Sequence, residues 1–283
     1  MKQILRLSFL LIIFFLFTIR ITDINYFNGL NFDLKSRNAI LYNVNNGSII
    51  YEKNSDELVK IASLTKMMTV IVSIENIKNI DDQVIITKEM LDTIKNKNAM
   101  VVGFKVNQVV TYRDLLYASM LVSGADATSA LAFSIAGNED NFVKMMNEKA
   151  DEIGMYNTYF ANASGLDTDN QYSTVRDVLT LLIYSLKNPL FKQIYTAQEY
   201  KNDKLKMVSS LKKNIEKYDI NSNYIIGSKT GYTKKAGYCL ASLSKNNEIY
   251  YLVVTAGADI SLKYPYNIVD TNQMLETVYN YFE

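Results

Sequence analysis

What most limits how this chain can fold is a hydrophobic period that switches twice along it, from strand-like alternation to helical spacing and back again. Residues 38–44 and 48–53 are β-prone runs flanking Asn45-Asn46-Gly47, residues that reach a positive φ cheaply, and they read as a hairpin. From Ser63 the apolar positions Leu64, Met67, Met68, Ile71 and Val72 recur at three-and-four spacing, which predicts an amphipathic helix over 63–76. Further helices are predicted over 111–121 and 174–186, opened by the capping pairs Thr111/Asp114 and Thr174/Asp177, over 126–136, and over 139–153 with Gly154 as the stop. Strands return over 224–230, 237–244 and 249–256, the last two joined at Lys245-Asn246-Asn247, and a helix over 268–281 closes the chain. Strands at both ends around a helical middle imply an α/β fold. Its expected form is an antiparallel sheet built from both chain ends, flanked by helices, with a mostly helical lobe inserted between. At 283 residues and 48% apolar content, the chain can bury a core of that size.

The first residues are a different material. Lys2 and Arg6 precede an apolar run over 7–19 whose only polar members are Ser8 and Thr18, and Arg20 closes it. Residues 1–22 therefore read as a signal peptide or an uncleaved membrane anchor, although the run is shorter than the ~20 residues of a perpendicular span. An Asn-rich stretch over 23–36 reads as a tether, and 37–283 as one folded domain with no additional C-terminal domain. The body is expected to be exported, either held at the outer face of the membrane or released.

Thirty basic residues against twenty-nine acidic ones leave a formal charge of +1, so nucleic acid is not an expected partner. The absence of histidine removes the commonest general base and every Ser-His-Asp arrangement. One cysteine, Cys239, allows no internal disulfide and reads as a buried structural thiol. Neither a metal nor a cofactor is expected.

Hydrolytic chemistry must then find another base, and Ser63-Leu64-Thr65-Lys66 offers one. Residues three apart on a helix share a face, so the Lys66 amine can reach the Ser63 hydroxyl, and partial desolvation lowers an amine's pKa enough for it to accept a proton. The spacing alone is not distinctive, since Ser209/Lys212, Ser210/Lys213 and Ser242/Lys245 repeat it. What distinguishes Ser63 is its company: Ser123-Gly124-Ala125-Asp126 between two predicted helices, then Lys229-Thr230-Gly231 on a strand. Elements of this kind in this order are associated with class A β-lactamases and penicillin-binding proteins. Lys229 and Thr230 offer a cation and a hydroxyl to a carboxylate, and Gly231 lets a substrate backbone approach the sheet edge.

From about residue 38 to 258 the chain resembles the D-alanyl-D-alanine carboxypeptidases, the low-molecular-weight penicillin-binding proteins. The resemblance is carried by residues 62–69 (ASLTKMMT), 162–167 (NASGLD), 172–177 (YSTVRD), 227–233 (GSKTGYT) and 236–239 (AGYC). It implies a β-lactamase/transpeptidase-like fold and removal of the terminal D-alanine from peptidoglycan stem peptides. By the same resemblance Ser63 forms the acyl-enzyme and is trapped by β-lactams, Lys66 takes its proton, and Ser123 relays protons toward the leaving D-alanine. Lys229 and Thr230 hold the terminal carboxylate, and the backbone amides of Ser63 and Tyr232 form the oxyanion hole.

Two departures stand out. Ala125 occupies the place of the family's usual asparagine, with Asp126 expected to cap the next helix, and no arginine follows Lys229, leaving Lys263 as a candidate in that role. Asp167, Thr174 and Asp177 read as turn and cap residues. A class A-like β-lactamase adds a deacylating glutamate, and residues 153–198 contain none. A DD-transpeptidase, or a non-catalytic wall-binding protein on the same fold, are the other readings of these motifs.

Overall fold

The computed structural model describes residues 30–261 and 264–281. The apolar run over 7–19, residues 23–29 of the expected tether, and Lys263 lie outside the described residues. Among the described residues, no helix is long and apolar enough to cross a membrane.

The predicted hairpin forms β1 (Asn38–Asn43) and β2 (Ser48–Lys53), its turn held by the Asn43 carboxamide, which accepts from the Asn45 N–H at 2.9 Å, and by Gly47 at φ +73°. A one-turn 3₁₀ helix, Ala62–Leu64, then runs into α1 (Thr65–Asn76). Ser63 therefore lies in the tight turn ahead of the α-helix rather than heading it, and Ala62 adopts a left-handed φ of +46° to make the entry. A small ribbon of β3 (Gln83–Ile85) and β4 (Val109–Thr111) brackets α2 (Lys88–Asp92). α3 (Tyr112–Tyr117) starts at the expected capping box: the Thr111 hydroxyl accepts from the Asp114 N–H at 3.1 Å and the Asp114 carboxylate from the Thr111 N–H at 2.9 Å.

α4 (Ala125–Ala136) ends at Gly137 with φ +80°, and α5 (Glu139–Ile153) ends at Gly154 with φ +89°. α6 (Val175–Ser185) is capped by Thr174, and α7 (Pro189–Thr196) by Asn188 with proline in the first turn, where its missing N–H costs nothing. A second ribbon, β5 (Glu199–Lys201) with β6 (Lys206–Val208), leads to α8 (Ser210–Tyr218). Three long strands, β7 (Ile225–Thr233), β8 (Gly237–Asn246) and β9 (Ile249–Ala258), precede α9 (Tyr266–Tyr281).

As expected, the main sheet joins both chain ends: its order is β2-β1-β9-β8-β7, all antiparallel. Strand alternation sorts its side chains into two cores. Ile40, Ala241, Leu243, Leu252 and Val254 face α1 and the helical lobe, while Ala39, Leu41, Leu240, Tyr251 and Val253 face α8 and α9. Cys239 falls in the first set, fully buried, and burial pushes its thiol up to about 12.

Residues ahead of the expected boundary at 37 also pack against the body. Phe32 and Leu34, two apart in an extended segment, bury their side chains against the α9 face, and the N–H groups of Lys35 and Ser36 donate to the Asp270 carboxylate at 3.1 and 2.6 Å.

Candidate active site

Lys66 and Thr69 lie one turn apart on a single face of α1, and both reach the turn at 162–166. Lys66 Nζ lies 3.0 Å from Ser63 Oγ and donates to the Ser164 carbonyl, while Thr69 Oγ1 donates to the Ala163 carbonyl at 2.6 Å. Asn162 builds that turn. Its carboxamide oxygen accepts from the N–H groups of Ser164, Gly165 and Leu166 at 3.1, 2.8 and 3.1 Å, and its amide donates to the Leu166 carbonyl at 2.9 Å. Gly165, at φ +79°, packs so closely under the Ser63 turn that a Cβ there would fall on the Ala62 carbonyl and within 2.9 Å of Thr65 Oγ1.

Ser123 arrives from the helical lobe. The last turn of the α3 helix widens to a π-turn over Ala118–Val122, and Ser123 follows in the left-handed region at φ +65°. Such a residue costs roughly 1–2 kcal/mol without a glycine, so the surroundings hold it there. Asp126 supplies part of that hold, though not as the helix cap the sequence suggested. Its buried carboxylate accepts from the N–H groups of Val102, Gly103 and Phe104 at 3.0, 2.8 and 3.1 Å, fastening the 102–104 loop beside the motif.

β7 brings the third element. It pairs only with β8, so within the sheet its other edge is open. Lys229, 1% exposed, extends Nζ to Ser123 Oγ at 3.0 Å and to the Thr230 carbonyl at 2.8 Å. Gly231 abuts the Ser63 turn: a Cβ there would sit 3.2 Å from the Ser63 nitrogen and 3.1 Å from the Ile61 oxygen, so glycine is what lets strand and turn meet. Tyr232 is half exposed and packs at a tilt beside Tyr238, with ring centroids 4.9 Å apart. Beyond it, Thr233 donates to the Asp167 carboxylate at 2.9 Å, tying the strand to the loop after Gly165.

Burial dominates the site's electrostatics. It pushes the Lys66 amine down to about 7, with the Asp126 carboxylate partly opposing the shift. Lys229 is pushed well below the usual lysine range, first by burial and then by the charge of Lys66. A neutral amine beside a serine hydroxyl is a competent base without histidine.

The structure thus gathers Ser63, Lys66, Ser123, Lys229 and Gly231 from three segments distant in sequence. The other Ser-x-x-Lys spacings take different roles: Ser209 caps α8 by accepting from the Lys212 N–H at 3.4 Å, and the buried Ser242 donates to the Val253 carbonyl at 3.3 Å. Thr174 caps α6 as expected, and Asp177 accepts from Thr158 and the Asn157 N–H. Ala125 is buried at the first position of α4, so Ala125→Asn is expected to lower stability by ~1–3 kcal/mol through overpacking, measurable as a fall in Tm, as well as to change acylation. Sequence spacing missed the Ser164 carbonyl and Asn162 as neighbours of the site. Backbone groups leave no side-chain signature, and only the Asn-x-x-Gly pattern hinted at a tight turn.

Comparison with known proteins agrees with this architecture. A family model described as D-alanyl-D-alanine carboxypeptidase matches residues 27–260. D-alanyl-D-alanine carboxypeptidase DacF of Bacillus subtilis is 31% identical over 237 residues, covering 79% of this chain and 58% of that protein. A D-alanyl-D-alanine endopeptidase of Pseudomonas aeruginosa is 32% identical over 216 residues, 74% of this chain and 66% of that one. The chain therefore spans about three-fifths of the length of the curated relatives it matches. Among solved structures, the Streptomyces K15 DD-transpeptidase superposes with a TM-score of 0.79 at 25% identity, covering 87% of this chain and 98% of that one. Penicillin-binding protein 5 from Haemophilus influenzae gives 0.76 at 30% identity over 87% of this chain and 71% of that one.

Proposed function

Because this chain belongs to the D-alanyl-D-alanine carboxypeptidase family, we propose that it removes the terminal D-alanine from peptidoglycan stem peptides through an acyl-enzyme on Ser63, and that β-lactams trap the same serine. The observation that carries the reading is the buried Lys66 amine, 3.0 Å from Ser63 Oγ and held near neutrality by desolvation. In its neutral form the amine keeps two protons, one directed at the Ser164 carbonyl, and presents its lone pair to the Ser63 hydroxyl.

Ser63 Oγ attacks the carbonyl carbon of the penultimate D-alanine as its proton passes to Lys66 Nζ. The carbonyl oxygen becomes an oxyanion facing the amides of Ser63 and Tyr232, donors of a kind worth about 3 kcal/mol each. Collapse of the intermediate breaks the peptide bond, and the departing nitrogen takes the proton held on Lys66 through Ser123, which the Lys229 amine orients. Lys229 and Thr230 hold the terminal carboxylate at the open edge of β7, and Gly231 and Tyr232 line the approach. Water then attacks the ester and regenerates Ser63. An amine in place of water makes the reaction a transpeptidation through the same intermediate. The absence of glutamate over 153–198 favours a long-lived β-lactam adduct over turnover. The basic-then-apolar start of the chain supports export of the body, with residues 1–22 as signal or anchor in the cytoplasmic membrane and action in the wall.

The test is to incubate the protein with labelled penicillin, map the adduct by mass spectrometry and assay D-alanine released from a peptide ending D-Ala-D-Ala. A stable adduct on the Ser63 peptide together with D-alanine release is expected. No adduct and no D-alanine would sink the proposal, and rapid multiple turnover of the penicillin would shift it to a β-lactamase.

A further inference from the structure

Thr230 follows Lys229 on β7, and strand alternation sends their side chains to opposite faces: Lys229 toward Ser123, Thr230 toward the side where α8 begins. There the hydroxyl of Ser210, the first residue of α8, lies 2.6 Å from Thr230 Oγ1. The helix has no need of this hydroxyl. Its start is capped by Ser209, whose Oγ accepts from the Lys212 N–H, and Leu211 anchors its first turn in the core beneath the sheet. Among the described residues, the Ser210 hydroxyl has Thr230 as its only hydrogen-bond partner.

The proton arithmetic of two hydroxyls gives this pair a direction. Each has a single proton and can both donate and accept. Either hydroxyl could donate across the 2.6 Å contact, but when Thr230 gives its one proton to a substrate carboxylate, only Ser210 can be the donor of the hydrogen bond between them. A hydroxyl that accepts in this way is turned outward, and its own O–H is polarised. We propose that Ser210 is a positioning residue of the carboxylate subsite, fixing the Thr230 proton toward the substrate's terminal carboxylate and thereby setting the preference for peptides that end in a free carboxylate. This rests on the carboxypeptidase reading, in which Thr230 contacts that carboxylate.

The experiment compares wild type, Ser210→Ala and Ser210→Thr on two versions of one peptide ending D-Ala-D-Ala, one with a free carboxylate and one with a carboxamide. Ser210→Ala is expected to lower kcat/KM about tenfold on the carboxylate peptide, the scale of one hydrogen bond serving a charged group, and less than twofold on the carboxamide. Ser210→Thr, which restores a hydroxyl, is expected to recover most of the loss. An unchanged kcat/KM for Ser210→Ala on the carboxylate peptide, or equal losses on both peptides, would overturn the proposal while leaving the carboxypeptidase reading standing. Wild-type protein inactive on both peptides would overturn the two together.

Discussion

Lys66→Met is expected to lower the rate at which penicillin labels Ser63 by roughly 10³-fold, in the range general bases supply, while raising the Tm. The two effects share one cause. Lys66 is fully buried, and desolvation is what brings its amine from 10.5 to about 7. That gap corresponds to roughly 5 kcal/mol of disfavoured charge, the same property that makes the amine a base at neutral pH. The sign follows from proton counting. Between about 7 and 10.5 the unfolded chain holds the Lys66 proton and the folded chain does not, so this group's contribution makes stability rise with pH across that window. Below about 7 both states are protonated and the burial penalty is full. Methionine carries no such penalty, so its advantage is expected to be largest below pH 7 and to shrink toward 10.5, reduced by the lost hydrogen bonds to Ser63 and Ser164. Wild-type acylation is expected to climb through about pH 7 as Lys66 loses its proton. Chemical melts across pH, with labelling rates measured on the same samples, check both halves. Labelling of Lys66→Met within tenfold of wild type would remove Lys66 from the role of base.

Much of this is legible in the sequence, because the informative signals are periodic or local. Alternation located the five strands of the sheet, and the capping pairs at Thr111 and Thr174 and the glycine stop at Gly154 mark helix ends in the structure. The order of Ser63, Ser123 and Lys229 foreshadowed a gathering that depends on strand β7 lying against the Ser63 turn. What escaped was tertiary. The 3₁₀ entry to α1 has no composition of its own, and Asp126 looked like a cap because loop 102–104, its real partner, is distant in sequence. Phe32 and Leu34 fall in the stretch the sequence marks as a tether, and only the packing of α9 gives them a surface. Ser210 looked like one of three decoy serines, since only the fold brings it to Thr230.

The position that couples fold to chemistry most tightly is Gly165, and Gly165→Ala is expected to be more damaging than any other glycine-to-alanine change around the site. Two penalties act together. At φ +79° an L side chain costs roughly 1–2 kcal/mol in backbone strain alone, and the new Cβ would then collide with the backbone of Ala62, which unlike a flexible side-chain end cannot swing aside. Gly231→Ala meets its neighbours at 3.1–3.2 Å without a positive φ, so a shift of a few tenths of an ångström relieves it. Relief at Gly165 requires the 162–166 turn to retreat from the Ser63 turn, and that turn carries the Ser164 carbonyl bonded to Lys66 and the Ala163 carbonyl bonded to Thr69. Retreat would break both bonds and leave a buried amine without its acceptor, which is among the costlier ways to destabilise a core. A loss on the order of 3–5 kcal/mol is therefore expected, read as a lower denaturant midpoint at unchanged slope, with labelling of Ser63 falling even where the protein remains folded. Gly231→Ala should show the reverse balance, with a small change in midpoint and a clear fall in acylation, because its neighbours are the Ser63 amide and the turn that presents it. If Gly165→Ala kept the wild-type midpoint and labelling rate, the close packing of that turn under Ser63 could not be what holds Lys66 in place.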